Sequence, residues 1–208
     1  MQYSEPCQLL VDEHEIILWV IEAVEVVAQR PESDVLAGDF FEKACDFFAT
    51  FADRCHHGKE EVHLFPMLES RGIPHQGGPI GCMLHEHDEG RAHIRAVRAA
   101  LESARKGDPA ARVTAKLEAL AFCDLLRQHI EKENQVLFVI GDRVMSAADK
   151  ELLLKQFHGA ENDRLPPGTY EKYTAIAREL RAAAGPNGEL SANTSEHETH
   201  RHVCHCTH

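Results

Sequence analysis

The sequence carries one chemical motif twice at a fixed distance, and this repeat constrains the fold more than any other feature. The segments CHHGKEEVHLFP (55–66) and HIEKENQVLF (129–138) share a histidine, a lysine, a glutamate, a leucine and a phenylalanine in the same order. Each matched pair is offset by 73 positions (129 − 56 = 73). The same offset pairs Glu13-His14-Glu15 with Glu86-His87-Asp88. We interpret the chain as a gapless duplication of a unit that contains one single-histidine helix and one helix with a His-x3-Glu pair.

The repeated His-x3-Glu spacing predicts metal-binding side chains on one face of a helix. Residues four apart on a helix lie one above the other, about 6 Å apart. The neighbours of His129 at helical spacing, such as Phe122, Leu125 and Ile140, are apolar, which predicts that this histidine faces the core. Because a buried imidazole without a partner is costly, we expect the repeats to meet around metal. The six candidate ligands are His14, His56, Glu60, His87, His129 and Glu133.

Adjacent histidines in the first repeat leave a choice of register. His57 and Glu61 have the same spacing as His56 and Glu60 and are an alternative pair. That register would bury two further carboxylates on the same helical stripe and would break the 73-residue repeat. The sequence therefore favours His56 and Glu60 as ligands, and it predicts that His57 and Glu61 lie next to the site or at the surface.

Helical periodicity runs through most of the chain, and the alternation typical of strands is absent. Four long helices with short connections predict an all-α, antiparallel up-down four-helix bundle, followed by one or two extra helices. The predicted helices are 7–29, 39–71, 80–106, 110–144, 147–157 and 170–184. We expect the bundle in residues 1–145, C-terminal helices packed on it in 146–184, and a disordered His- and Cys-rich tail in 185–208.

The acidic composition and the cysteine pattern limit the functional classes. The chain has 22 Lys and Arg against 34 Asp and Glu, a formal net charge of −12, which argues against nucleic acid or an anionic membrane as a partner. No apolar run is long enough to span a bilayer, and the N-terminus lacks the pattern of a secretory signal. Seven scattered cysteines, an odd number, predict reduced thiols. Together these features predict a cytoplasmic protein without a membrane span.

The donor set points to iron as the cofactor. Imidazoles and carboxylates suit transition metals such as iron, and we predict two Fe ions in an oxo- or hydroxo-bridged di-iron centre. Six side chains do not fill the positions around two six-coordinate ions, so room remains for a small diatomic ligand or peroxide. The histidines and cysteines of the tail predict only opportunistic metal binding.

Two further residues near the predicted site have alternative roles. His63 forms a Glu-x-x-His pattern with Glu60, as in ferritin-like di-iron bundles, but its repeat position is Val136, so that pattern is not duplicated. His63 is either a neighbour of the site or a core residue. Arg91, one turn after His87, either pairs with a carboxylate near the site or is exposed.

At these motifs the chain resembles the hemerythrin-like, or HHE cation-binding, family. The matching pieces are DEH at His14, HHGKEEVHLFP (56–66), PIGCMLHEHDEGR (79–91) and HIEKENQVLF (129–138), within about residues 7–145. The resemblance implies a four-helix bundle around a non-haem di-iron centre held by the six candidate ligands.

One departure from the family pattern bears on function. Oxygen-carrying members have a further histidine one turn from the helix-three ligand, but here the neighbours of His87 at that spacing are Met83 and Arg91. In this respect the chain is more similar to the iron-centre-repair and sensor proteins of the family. The sequence has no counterpart of the Cys-bearing amino-terminal domain that some repair proteins carry.

The ligand set and the resemblance predict a di-iron protein that binds, senses or reacts with O2, NO or peroxide. One alternative is an enzyme that reduces NO or peroxide with an external electron donor, or a protein that repairs iron centres. A second alternative is a protein that senses, stores or delivers iron. The sequence leaves these three classes and the oligomeric state open.

Overall fold

The computed structural model describes residues 3–30, 39–164 and 166–185, apart from the side chains of 160–164. This part of the chain is helical and contains no strand, so the predicted all-α fold is confirmed there. The helices are α1 (Glu5–Ala28), α2 (Phe40–Phe47, Phe48–His57, Glu60–Leu64 and Phe65–Ser70), α3 (Pro79–Arg105), α4 (Pro109–Lys132, Glu133–Leu137 and Phe138–Val144), α5 (Ala147–Arg164) and α6 (Thr169–Ala184). None of these helices is both long and apolar enough to cross a membrane.

Helices α1 to α4 form the bundle, with a polar layer between two apolar clusters. Along α1 the chain passes from Leu10 in one cluster, past the buried His14, to Ile17 in the other. Helix α3 crosses the layers in the same direction, and α2 and α4 cross them in the opposite direction. This alternation is the antiparallel up-down arrangement that the short connections predict.

Local sequence signals explain where the bundle helices begin and end. Gly107 has a positive φ of 95° between α3 and α4, a conformation that favours glycine. Asp108 then accepts hydrogen bonds from the N–H groups of Ala110 and Ala111, which caps α4. Pro109 occupies the first turn of α4, where its missing N–H has no cost.

The two C-terminal helices pack against the bundle. Ser146 and Asp149 cap α5 reciprocally, because each accepts a hydrogen bond from the other's backbone N–H (3.2 and 2.9 Å). Phe157 of α5 and Leu180 of α6 are buried in the two apolar clusters. Helix α5 continues to Arg164 instead of ending at 157 as predicted, since a single glycine at 159 is tolerated inside a helix. The predicted His- and Cys-rich tail, from 186 onward, lies outside the described residues.

Both helices that carry a His-x3-Glu pair contain a wide turn at the same repeat position. The N–H of Phe65 donates to the carbonyl of Glu60, and the N–H of Phe138 donates to that of Glu133. These hydrogen bonds span five residues instead of four, as in a π-helix, which occurs frequently at functional sites. The duplication therefore extends from the sequence to the backbone at the two glutamates.

Candidate metal centre

The six side chains predicted as metal ligands meet in the polar layer of the bundle, and each is at most 1% exposed. The side chain of Glu133, on α4, points toward α1 in this layer. Its Oε2 atom is 3.2 Å from Nε2 of His14 and 3.3 Å from Nε2 of His129. Imidazoles from α1 and α4 therefore face one carboxylate.

Glu60 occupies the equivalent position in the other half. Its Oε1 atom is 3.7 Å from Nε2 of His56, and its Oε2 atom is 3.5 Å from Nε2 of His87. Donor atoms that lie within 4.8 Å of one another form two groups that could hold a metal ion. The first group is His14, His56, Glu60 and Glu133, and the second group is His57, Glu60, His87 and His129.

Many of the nitrogen and oxygen atoms that could bind a metal in these groups have no hydrogen-bond partner in the described part of the chain. They are Nε2 of His14 and His56, both ring nitrogens of His57, and all carboxylate oxygens of Glu60 and Glu133. Buried polar atoms are nearly always satisfied, and a native exception requires an explanation such as an ion. Their convergence between the four helices fits a metal centre.

The outward-facing nitrogens of the four histidines predicted as ligands, in contrast, have hydrogen-bond partners. Nδ1 of His56 contacts Oε2 of Glu13 at 2.9 Å, and Nζ of Lys59 donates to the other oxygen of Glu13 at 2.5 Å. All three side chains are about 1% exposed. A carboxylate on the outer nitrogen of a histidine orients the ring, and it leaves Nε2 for a metal.

The second half repeats this arrangement with different exposure. Nδ1 of His129 contacts Oε2 of Glu86 at 2.9 Å, and Lys132 forms an ion pair with the same carboxylate. Each of these residues lies 73 positions after its counterpart in the first half. Lys132 is 37% exposed, however, whereas Lys59 is 1% exposed.

The remaining two histidines also have duplicated outer partners. Nδ1 of His14 contacts Oδ1 of Asn134 at 2.8 Å, and Nδ1 of His87 contacts Oε1 of Glu61 at 2.7 Å. Glu61 and Asn134 are again 73 positions apart. The prediction that Glu61 lies next to the site agrees with this position.

The protonation behaviour of the buried groups suits a cation in the layer. Burial and the facing Glu133 raise the pKa of Glu60 well above its usual range. Burial also raises the pKa of Glu133, but the neighbouring imidazoles outweigh it and hold the pKa below the usual range. Burial lowers the pKa of His56 and His87, which favours neutral imidazole, the form that binds metal. Two carboxylates that share a buried space favour cations between them.

His57 is the residue that the sequence analysis did not include among the ligands. The structure buries it to 6% exposure and stacks its ring on His87, with the centroids 3.8 Å apart. Burial and the charge of His87 lower the pKa of His57 to about 3. Its ring nitrogens lie 3.7 Å or more from the nearest carboxylate, Asp53, and they face the second donor group.

A wide turn explains why both adjacent histidines face inward. The stretch Phe48–His57 is π-helical, and the N–H of Gly58 bonds to the carbonyl of Asp53 five residues earlier. Because a π-helix has more residues per turn than an α-helix, His57 is rotated toward the core. In a regular α-helix only one of the two adjacent histidines would face inward. The equivalent stretch of α4 is regular α-helix with Ile130 at the repeat position. Among the inward-facing polar side chains, the two halves therefore differ at His57, whose counterpart is Ile130.

Arg91 and His63, for which the sequence leaves two roles open, occupy different positions relative to the site. Arg91 pairs with carboxylates near the site, since it donates to Asp53 (2.8 Å) and to Glu61 (2.6 Å). His63 is in neither donor group, and its ring lies 6.3 Å from that of Phe157.

The sequence contained one indication of the carboxylates that contact the outer nitrogens of the histidines, because Glu13 and Glu86 share the 73-residue offset.

A helical bundle that encloses two groups of buried imidazoles around shared carboxylates defines a class of metal-binding four-helix-bundle proteins. Comparison with known proteins identifies the family within that class. Residues 6–140 match the family model described as the hemerythrin HHE cation binding domain. The chain belongs to this family.

A curated relative gives a more specific similarity. The chain is 35% identical over 85 residues to the iron-sulfur cluster repair protein YtfE of Dickeya chrysanthemi (strain Ech1591). The similarity covers 40% of this chain, and the chain spans only 38% of the length of that relative.

Proposed function

We propose that this chain holds two iron ions in the polar layer and that the centre binds or reacts with O2, NO or peroxide. The observation that carries the proposal is the convergence of buried nitrogen and oxygen atoms that have no partner among the described residues. Imidazole and carboxylate donors together suit iron. The family to which the chain belongs is described as cation-binding.

The two donor groups would hold different numbers of imidazoles. His14 and His56 would bind one ion, and His57, His87 and His129 would bind the other. The two glutamates lie between the groups. When bound, the iron ions would supply coordination positions for the small molecule and electrons for its reduction.

The surrounding protein determines how these ligands are presented. The outer partners Glu13, Asn134, Glu61 and Glu86 orient the four symmetric histidines through Nδ1. The apolar clusters above and below shield the layer from water along the bundle axis. The residues thus form a preorganised site whose ligands need little rearrangement to bind metal.

A role in the repair of iron–sulfur clusters is the second candidate. The similarity to the YtfE relative favours it, although this similarity covers less than half of either chain. We also propose that the protein works in the cytoplasm, as its cysteine pattern predicts. The five cysteines of the described residues are free thiols, and four of them are buried.

The reaction of the iron-loaded protein with each small molecule tests the proposal. Protein loaded anaerobically with Fe(II) is mixed with O2, NO or hydrogen peroxide, and its visible spectrum is followed. We expect a spectral change for the natural chain and for His85→Ala, whose exposed side chain is in neither donor group. We expect no such change for His129→Ala. A His129→Ala protein that reacts like the natural chain would overturn the proposal.

A further inference from the structure

A cavity of about 240 Å3 opens beside the metal centre between helices α2, α3 and α4. His57, His87 and His129 form its inner end, and apolar side chains such as Phe48 and Phe122 form its walls. O2 or NO is comparable in size to one water molecule, whose share of liquid volume is about 30 Å3. The cavity has room for a considerably larger molecule.

The cavity reaches one of the two donor groups. His57, His87 and His129, which line it, belong to the second group. His14 and His56 of the first group are not among the lining residues, and the ring of His14 stacks on Phe138.

Four arginines line the cavity, and one of them, Arg91, pairs with Asp53 and Glu61. The side chains of the other three are exposed. Arg54 is on α2, and Arg95 and Arg98 are on α3. Among the described side chains, those of residues 3–30, 39–159 and 166–185, neither Arg54 nor Arg95 has an ion-pair partner. One N–H of Arg98 donates to the carbonyl of Cys45 at 3.0 Å, and the guanidinium group has further N–H groups with which to bind a ligand. These guanidinium groups give the cavity strong hydrogen-bond donors for an anion.

The acidic residues of the lining do not neutralise these arginines, because each already has a cationic partner. Asp53 accepts from Arg91 at 2.8 Å, and Glu86 pairs with Lys132. The cavity is therefore cationic in a chain whose formal net charge is −12.

The internal repeat places an ion pair at the equivalent position of the other half. The counterpart of Arg54 is Arg127, and the counterpart of Arg98 is Glu25. Arg127 donates to Glu25 at 2.8 Å, so that pair neutralises itself. At the cavity the corresponding residues, Arg54 and Arg98, are both arginines, and two positive charges do not form an ion pair. The two halves differ in charge at this point.

The halves differ in space as well as in charge. Gly90 lines the cavity, and a Cβ atom on it would come within 3.3 Å of the Phe122 ring. Its counterpart in the other half is Ile17, which is fully buried in the core. The missing side chain on α3 thus lets Phe122 pack closely on the helix at the wall of the cavity, where the other half has a buried isoleucine.

We propose that this cavity binds a small organic anion with a carboxylate group. Arg54, Arg95 and Arg98 would hold the carboxylate, because guanidinium groups match the geometry of carboxylates. The apolar part of the molecule would lie against Phe48 and Phe122. The site goes beyond the proposed reaction with O2, NO or peroxide, since the arginines and the apolar wall are separate from the donor groups.

Calorimetric titration of the full chain, as purified, tests the proposal with three probes. Benzoate carries both a carboxylate and an apolar ring, benzamide lacks the charge, and acetate lacks the ring. We expect saturable binding of benzoate and affinities at least about tenfold lower for benzamide and acetate. Equal affinities of benzoate and benzamide would overturn the proposal, as would no saturable binding of benzoate below about 10 mM.

Charge-matched variants show whether the arginines hold the carboxylate. Arg54→Gln with Arg95→Gln should weaken benzoate binding about tenfold or more. The control combines Arg127→Gln with Arg112→Gln, which removes the same charge outside the cavity and should bind benzoate normally. Unchanged binding by the cavity variant would mean that benzoate binds to the metal or elsewhere, and the proposal would be wrong.

The iron content of the same samples separates this proposal from the metal function. Iron-loaded protein that fails to bind benzoate would overturn the anion site alone. Protein that binds benzoate through these arginines but holds no iron would overturn the proposed function alone.

Discussion

The duplicated lysines provide a test of how burial determines the strength of an ion pair. Lys59 and Lys132 make the same contact, with Glu13 and Glu86 respectively, but they are 1% and 37% exposed. Substitution by methionine keeps the length of each side chain and removes its charge. We predict that Lys59→Met strongly destabilises the protein and that Lys132→Met does not.

The magnitudes follow from the surroundings of each pair. At an effective dielectric constant of about 20, charges 2.5 Å apart, the distance from Lys59 Nζ to Glu13 Oε1, attract each other by roughly 7 kcal/mol. The variant loses this attraction, but it also avoids the free energy needed to remove an ammonium group from water. The net cost of removing one partner of a buried ion pair is about 3–5 kcal/mol. Water can replace the ammonium group of Lys132, and we expect a cost of about 0.2–1 kcal/mol there.

Urea unfolding at pH 7, followed by circular dichroism, measures both effects. With an m value of about 2 kcal/mol per M, the midpoint for Lys59→Met should fall by roughly 1.5–2.5 M, and that for Lys132→Met by about 0.1–0.5 M. Metal content must be matched between samples, because metal that binds only the native state adds to its stability. Equal losses for the two variants would refute the reasoning.

A second substitution tests whether the stranded carboxylate causes the loss. Glu13→Gln, combined with Lys59→Met, removes the buried negative charge and keeps an oxygen that accepts from Nδ1 of His56. This double variant should recover most of the free energy of unfolding, since removing both charged partners is often nearly neutral. A double variant as unstable as Lys59→Met would show that the loss has another origin.

Three further predictions concern the metal centre and the N-terminus. His57→Ile, which gives α2 the residue found at its repeat position in α4, should retain the fold by circular dichroism and lower iron from about two ions to about one; retention of both ions would exclude His57 as a ligand. The hydroxyl and the backbone N–H of Ser4 both donate hydrogen bonds to Asp142, and Ser4→Ala removes the hydroxyl's bond only. Burial raises the pKa of Asp142, but these bonds and the charge of Lys150 outweigh it and hold the pKa below 3.8, so the group stabilises the native state above that pH and loses this effect as the pH falls through the lowered pKa. The variant should therefore be about 1 kcal/mol less stable at pH 7, with a difference from the natural chain that shrinks below pH 3.8, and a pH-independent difference would contradict this. Finally, the Fe(II) protein should oxidise in air, and full recovery of its deoxygenated spectrum under vacuum would identify a reversible carrier instead.

Much of the fold and the convergence of the predicted ligands could be read from the sequence, because both follow from helical periodicity and from the internal repeat. His14 and His87 lie on apolar stripes at matching repeat positions, and the structure places both in the polar layer. The pairing of outer partners also follows the repeat, although the sequence alone does not show which carboxylate reaches which ring. That depends on the distances between packed helices.

His57 could not be placed from the sequence, because the register argument assumed the period of an α-helix. The wide turn at Phe48–His57 changes that period, and its counterpart in α4 is regular. The cavity was missed for a related reason. Gly90 was visible as a small residue one turn from His87, but the packing of the helices decides that Phe122 lies against it and that a cavity opens beside them.

The number of metal ions per chain tests the central claim most directly. Protein purified under anaerobic conditions is analysed for iron, zinc and other transition metals, and its visible spectrum is recorded before and after exposure to air. We predict close to two iron ions per chain and a spectrum that changes in air. A single tightly held zinc ion, with no absorbance that depends on iron, would contradict the di-iron assignment.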